Sequence, residues 1–363
     1  MTTGAQPALR TFRGANIAAI LAIAVAVTGL YLVPRYVEST YALHMMILIF
    51  INVTVGSAWN ILGGYTGQYS VGHAAYFGVG AYTVMMLLQF RQVAPWWGML
   101  AGAGAAAVVA LIIGSICFRL RGPYFVLASI AVAEILRATT LNLEDITNGA
   151  EGILVIDIPP LVISGRTITD WMSKVPFYYV GLSFALLIIL VTLMVRYSKL
   201  GYYFQAIRED QDAAHSLGIN LTIYKNIALA ISAVFTALAG GLYAVYVGFI
   251  DPTTVLALDM SVQIVMICII GGIGTILGPV IGALLLVPLS EALRSNMLTD
   301  ALVNWGVVAE ESPTGVFLRE HLSQAHVLIY GILVVLVILY MPQGILGFIR
   351  RVMDGLAAKK GKS

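Results

Sequence analysis

Residues 63–82 read Gly63-Gly64-Tyr65-Thr66-Gly67-Gln68-Tyr69-Ser70-Val71-Gly72-His73-Ala74-Ala75-Tyr76-Phe77-Gly78-Val79-Gly80-Ala81-Tyr82, with no Asp, Glu, Lys or Arg among them. A second stretch has the same glycine rhythm: Gly271-Gly272-Ile273-Gly274-Thr275-Ile276-Leu277-Gly278-Pro279-Val280-Ile281-Gly282-Ala283. Both interrupt long apolar runs. Glycine in a helix interior costs about 1 kcal/mol relative to alanine, so two such clusters need a reason. One reason is close helix packing through small residues. The other is non-helical backbone along a polar cavity, the one place where a bilayer tolerates it. The first cluster adds Thr66, Gln68, Ser70 and His73, which gives packing and a polar path equal weight. The second is nearly all apolar, and Gly274, Gly278 and Gly282 recur every four residues, which favours packing. Glycine-interrupted spans in two halves of a chain point to a transporter's binding site. Candidate path residues are therefore Thr66, Gln68, Ser70, Gly72, His73, Gly271 and Gly274.

Composition agrees that lipid is the solvent. Of 363 residues, 60% are hydrophobic and only 10% charged, and the mean hydropathy is +0.91. Soluble domains carry about 25% charged residues, and so few charges cannot cover a water-exposed surface. A secreted enzyme, a nucleic-acid binder and a disordered chain are excluded. Cys117 and Cys268 both sit in apolar runs, where they read as small buried hydrophobes with no disulfide framework.

A spanning helix needs about 20 mostly apolar residues. The sequence predicts spans at 14–33, 39–62, 63–88 (with a broken start), 94–118, 123–143, 177–195, 227–250, 261–293 divided in two by its glycines, and 326–349. The expected fold is an all-α polytopic membrane domain of about ten helices filling residues 1–363. The first span reads as an uncleaved anchor, because it is longer than a signal-peptide core. With the N-terminus inside, thirteen of the 20 Lys and Arg residues fall on inner segments and six on outer ones, which obeys the positive-inside rule. Both termini are then cytoplasmic. The long outer segments are 144–176 and 294–325, suited to a docking surface. The long inner one is 196–226.

Few groups offer chemistry. Glu134 and Arg137 lie three residues apart in the fifth span, on one helix face. An intrahelical ion pair is the favoured reading, with an interhelical brace or a path-lining Glu134 as alternatives. No metal-ligand spacing, nucleophile arrangement or G-x-x-x-x-G-K-[ST] loop is present. The chain reads as a non-enzyme without cofactor, and any ATP must be hydrolysed by another polypeptide. Within 196–226, the run from Ala206 to Asn220 predicts a short amphipathic helix with Phe204, Ile207, Ala214 and Leu217 on one face, and Gly218 as its left-handed C-cap. From pattern alone, a solvated connector is the better reading of this run.

Four motifs in order resemble permease subunits of branched-chain amino-acid ABC transporters. They are Gly64 to Tyr82; Arg119-Leu120-Arg121-Gly122-Pro123-Tyr124-Phe125 followed by Glu134-Ile135-Leu136-Arg137 and Thr147-Asn148-Gly149; Ala206 to Asn220; and Gly271 to Ala283. Two positions depart: Pro123 stands where the family often has an acid, and Asn148 where it has a second glycine. The resemblance implies a type II-like importer permease in a bacterial inner membrane, working by alternating access. It implies ATPase subunits, a second homologous permease and a periplasmic substrate-binding protein as partners. Family cargoes are branched-chain amino acids, and also urea, short amides and aromatic acids. The resemblance turns 206–220 into the ATPase-coupling segment, with Arg208, Glu209, Asp210, Asp212, Ala213, Ala214 and Gly218 as contacts. The runner-up is an ion-coupled secondary transporter, for which only Glu134 and His73 offer a poised group.

Overall fold

The structure is a computed structural model that describes residues 17–37, 39–155 and, with short gaps, 158–294, together with isolated positions between 328 and 348. Helix α1 runs Ile17–Tyr36. Helix α2, Thr40–Asn60, continues into a π-helical turn, Ile61–Tyr65. Then follow α3 (His73–Arg91), α4 (Pro95–Cys117), α5 (Pro123–Asn142) and the short α6 (Glu144–Thr147). The segment expected to be outer holds strands β1 (Ile153–Leu154), β2 (Leu161–Ile163) and β3 (Arg166–Thr169). The rest is α7 (Lys174–Tyr197), α8 (Lys199–Glu209), α9 (Gln211–Ser216), α10 (Leu221–Val247), β4 (Phe249–Ile250), α11 (Pro252–Val255), α12 (Leu258–Gly271) and α13 (Gly278–Arg294).

Each expected span from the first to the ninth falls on a helix. Among the described residues, 6 helical stretches are long and apolar enough to cross a bilayer: Thr40–Tyr65, α4, α5, α7, α10 and Pro252–Gly271. Helix α13 is an apolar helix of only 17 residues. The expected tenth span and the outer segment 294–325 lie outside the described residues, apart from the isolated positions. One boundary needs correction. The seventh span starts at Leu221 rather than residue 227, because Asn220 caps the helix by accepting the Ile223 N–H at 3.2 Å. Lys225 and Asn226 therefore belong to α10 and not to the connecting loop.

Local signals set the helix ends. Proline occupies the first turn of α4, α5 and α11, where its missing N–H costs nothing. Pro123 thus suits the start of α5. Asn148 takes φ 57 in the left-handed region, a conformation asparagine tolerates better than most residues with a side chain.

Helix α10 is the centre, packed by α2, α3, α4 and α7. It approaches α3 closely enough that a Cβ on Gly80 would lie 2.1 Å from the Ala237 carbonyl, and one on Gly240 would lie 2.1 Å from the Phe77 carbonyl. Cys117 and Cys268 are free and buried. Segments expected on one side of the membrane come together. At the end expected to be outer, β1 pairs antiparallel with β4, with Ile153 opposite Ile250, and His44 bonds the Tyr246 hydroxyl. At the end expected to be inner, residues near 64, 121, 208–212 and 274 meet.

Candidate functional site

The first glycine cluster is a genuine helix break. After the π-helical turn the chain leaves helix geometry from Gly67 to Gly72 and re-enters it at His73. The Thr66 hydroxyl donates to the Leu62 carbonyl at 2.6 Å, and Gln68 Nε2 donates to the Thr66 carbonyl at 3.3 Å. The Trp59 indole N–H donates to the Ser70 carbonyl at 2.7 Å. The His73 ring meets Ser70 Oγ at 3.2 Å and Ser232 Oγ at 2.8 Å. Thr66, Gln68, Ser70 and His73 are all buried within the chain, and the hydrogen bonds they make hold the break. The segment turns Tyr69 outward, 46% exposed. It also locks against α5: the Val71 N–H donates to Ser129 Oγ at 3.0 Å, and a Cβ on Gly72 would sit 2.2 Å from the Ser129 carbonyl.

The second cluster is mostly packing, as expected, but its stripe differs. Gly278 and Gly282 lie in α13, and added Cβ atoms would strike the Gly272 carbonyl at 2.1 Å and the Ile267 carbonyl at 1.9 Å. Gly274 is not part of that stripe. It sits in the turn between α12 and α13 at φ 73. Gly271 ends α12, where a Cβ would lie 1.7 Å from the Gly278 carbonyl.

The two breaks touch. Asn60, one turn before Gly64, accepts the Gly274 N–H at 2.8 Å through Oδ1 and donates Nδ2 to the Thr275 carbonyl at 2.8 Å. Arg208 joins them from the inner segment: its Nη1 donates to the Gly64 carbonyl at 2.9 Å, and the same atom would lie 2.7 Å from a Cβ on Gly274. The Arg208 stem packs on Gly67, 3.3 Å from the ideal Cβ position. One side chain of the inner segment thus contacts both breaks.

That inner segment is two helices and not one. The chain extends at Asp210 (φ −155°, ψ 116°), which caps α9 by accepting the Asp212 and Ala213 N–H groups at 2.8 and 3.0 Å. Phe204, Ile207 and Ala214 face inward and are buried. Leu217, expected on that same face, is 81% exposed, because the bend at Asp210 resets the helical phase. Ala214 is buried, whereas Glu209, Asp212, Ala213 and Leu217 face out. Gly218 takes φ 83 as expected for the cap, and the Ile219 N–H reaches back to the Ala214 carbonyl at 3.1 Å. Arg121 binds Asp212 at 2.9 Å and ties the α4–α5 turn to α9.

Glu134 and Arg137 form the expected intrahelical ion pair, with the Arg137 Nε at 3.0 Å from the carboxylate. The pair lies on an open face of α5, its side chains 51% and 29% exposed. At the outer end Asp251 caps α11 by accepting the Thr253 and Thr254 N–H groups at 2.8 and 2.9 Å. Burial pushes its carboxyl up, but the hydrogen bonds from Thr253 and Thr254 outweigh that and hold it below the ordinary carboxylate value. No cluster of metal-ligating side chains occurs among the described residues. The sequence reading missed Asn60, Ser129, Ser232 and Ser261, each a polar residue inside an apolar span. Ser261 Oγ accepts the Ala74 N–H at 2.9 Å. A lone polar residue in such a span was the available signal.

Comparison with known proteins fixes the family. A model described as "Branched-chain amino acid transport system / permease component" matches residues 41–338. The chain is 28% identical over 323 residues to the Escherichia coli K12 high-affinity branched-chain amino acid transport system permease protein LivM, covering 84% of this chain and 69% of that protein. It is 25% identical over 327 residues to LivH of the same organism, covering 84% of this chain and 96% of that one. A shorter match, 32% over 120 residues, is to the autoinducer 2 import system permease LsrC of Yersinia enterocolitica, over 31% of this chain and 33% of that one. No solved structure matches. With its polytopic helical fold and paired helix breaks, the chain belongs to the family of branched-chain amino acid transport permease components.

Proposed function

We propose that this chain pairs with a second homologous permease to form the membrane pathway of an ATP-driven importer of branched-chain amino acids in a bacterial inner membrane. The named cargo of LivM and LivH supports that substrate class. The observation that carries the coupling mechanism is Arg208, which reaches from α8 to the Gly64 carbonyl and lies against Gly274. ATP binds on separate ATPase subunits that dock beneath α8 and α9. Glu209, Asp212, Ala213 and the exposed Leu217 face that partner, Asp210 and Gly218 shape the segment, Ala214 anchors it inward, and Arg208 carries its movement to the two breaks. The excess of Lys and Arg on the α8–α9 side supports cytoplasmic termini.

The half-exposed Glu134–Arg137 pair supports α5 as the path-lining and partner-facing helix. A charge facing lipid near a helix centre costs about 2.5–3.5 kcal/mol on insertion scales, so that face suits water or protein better than acyl chains. Tyr69 and Gly72 border the same helix through Ser129. The ligand arrives from an outer binding protein, crosses between the two permeases and leaves inside by alternating access. The test is uptake of labelled leucine into proteoliposomes containing the permease pair, the ATPase and the loaded binding protein. Uptake that needs ATP and every subunit supports the reading. Accumulation against a gradient by vesicles holding this chain alone overturns it.

A further inference from the structure

The geometry points to a phosphate-binding site beside the coupling segment, in a cavity of about 420 Å³ between the α4–α5 turn, α9 and the first turn of α10. Its lining brings together Arg119, Arg121, His215 and Lys225, and no carboxylate lines it among the described residues. Lys225 is the decisive group. It is 1% exposed, yet among the described residues its ammonium meets only neutral partners: Gln211 Oε1 at 2.8 Å and the face of Phe118 at 5.9 Å. A buried charge is costly unless it is paired, and an amide oxygen does not supply the missing anion. Asp212, on the same helix as Gln211 and His215, is engaged by Arg121 at 2.9 Å, and among the described residues neither Arg119 nor Lys225 forms an ion pair. The first turn of the 27-residue α10 borders the cavity, and the positive end of its dipole adds to the attraction.

Guanidinium groups flanking a buried ammonium suit the tetrahedral oxygens of a phosphate ester better than a single carboxylate. The volume exceeds that of a bare phosphate and accommodates a headgroup or a small phosphorylated molecule. Tyr124, 71% exposed in the first turn of α5, is a residue type that marks headgroup depth. Phosphate is the shared chemistry, and its two sources are an anionic phospholipid and a soluble phosphate compound.

The assembled transporter, purified in detergent, is titrated at constant ionic strength with short-chain phosphatidylglycerol, short-chain phosphatidylcholine, inorganic phosphate and glycerol 3-phosphate, and thermal stabilisation is read. Saturable stabilisation by phosphatidylglycerol alone identifies the lipid source; stabilisation by inorganic phosphate or glycerol 3-phosphate identifies the soluble one. Replacing the exposed pair together (Arg119→Gln with His215→Gln) weakens the response about tenfold or more, the scale of a lost charge-assisted contact. Lys225→Met abolishes it. No phosphate-specific stabilisation of the wild type overturns the proposal. So does an unchanged response in the Arg119→Gln, His215→Gln variant, whose two exposed positions keep the test decisive where Lys225→Met misfolds.

Discussion

Arg208→Ala separates coupling from assembly. The wild-type guanidinium donates to the Gly64 carbonyl at 2.9 Å, partly buried and charged, and hydrogen bonds to charged groups contribute roughly 1.5–3 kcal/mol. Since about 1.4 kcal/mol is tenfold in an equilibrium, loss of this contact shifts the balance between coupled and slack arrangements by about ten- to a hundredfold. The backbone of α8 and the outward faces of Glu209, Asp212, Ala213 and Leu217 are untouched. The ATPase should therefore co-purify at the wild-type ratio and hydrolyse ATP, while leucine taken up per ATP consumed falls about tenfold or more. Arg208→Lys should recover part of the loss, because an ammonium can still reach a carbonyl but lacks the planar guanidinium whose Nη1 also packs against Gly274. The assay is paired measurement of uptake and hydrolysis in the same proteoliposomes. Unchanged uptake per ATP in Arg208→Ala refutes the reasoning, as does a loss that merely tracks dissociation of the ATPase.

Gly72→Leu should abolish uptake while leaving ATPase co-purification intact, because the Cβ alone would stand 2.2 Å from the Ser129 carbonyl; normal uptake removes the argument for a close α5 contact. Gly80→Val should reduce the yield of folded protein on size exclusion, since its Cβ would meet the α10 backbone at 2.1 Å and backbone yields at higher cost than side chains. Asp251→Ala removes the α11 cap and should cost about 1 kcal/mol. The folded carboxyl lies below the usual value of 3.8, so its contribution is full above that value and disappears as pH falls through the folded pKa; thermal melts of wild type and variant should converge there.

Membrane class, span positions and both breaks were legible because each is a local property: apolar run length, glycine density and charge bias. The errors fall where phase or distance matters. The spacing of Gly274, Gly278 and Gly282 mimics a helical stripe, but φ 73 at Gly274 takes it out of the helix, and Gly271 packs on the α13 N-terminus instead. Leu217 was assigned to the buried face by a periodicity that Asp210 interrupts. Asp210 followed by Asp212 and Ala213 carries a helix-cap signal that a continuous-helix reading passes over. Asn60 is the clearest limit. Its partners, Gly274 and Thr275, lie more than 200 positions away, and no single-sequence pattern pairs an asparagine with a distant glycine turn. The polar residues Thr66, Gln68, Ser70 and His73 suggested a path by their chemistry. Burial shows that a break inside a span must first satisfy its own backbone and side chains.

The three tethers at the inner junction differ in chemistry, and the difference gives the proposed power stroke a direction. Asn60, at the end of α2 just before the first break, holds the second break through Oδ1 and Nδ2 of its amide, so the two move as one body. Gly72 has no clearance from Ser129, so that body cannot shift without displacing α5, which carries the open face with Glu134 and Arg137. Arg208 is the flexible member, a long side chain on an exposed helix. A displacement of α8 and α9 by an ATPase enters through Arg208, passes undivided through the breaks and emerges at α5. Transport then depends on stiffness at Gly72 and Asn60 and on charge at Arg208. Asn60→Ala should accordingly weaken uptake even with Arg208 in place, because Arg208 hydrogen-bonds only the first break, at the Gly64 carbonyl, and merely packs against Gly274 of the second.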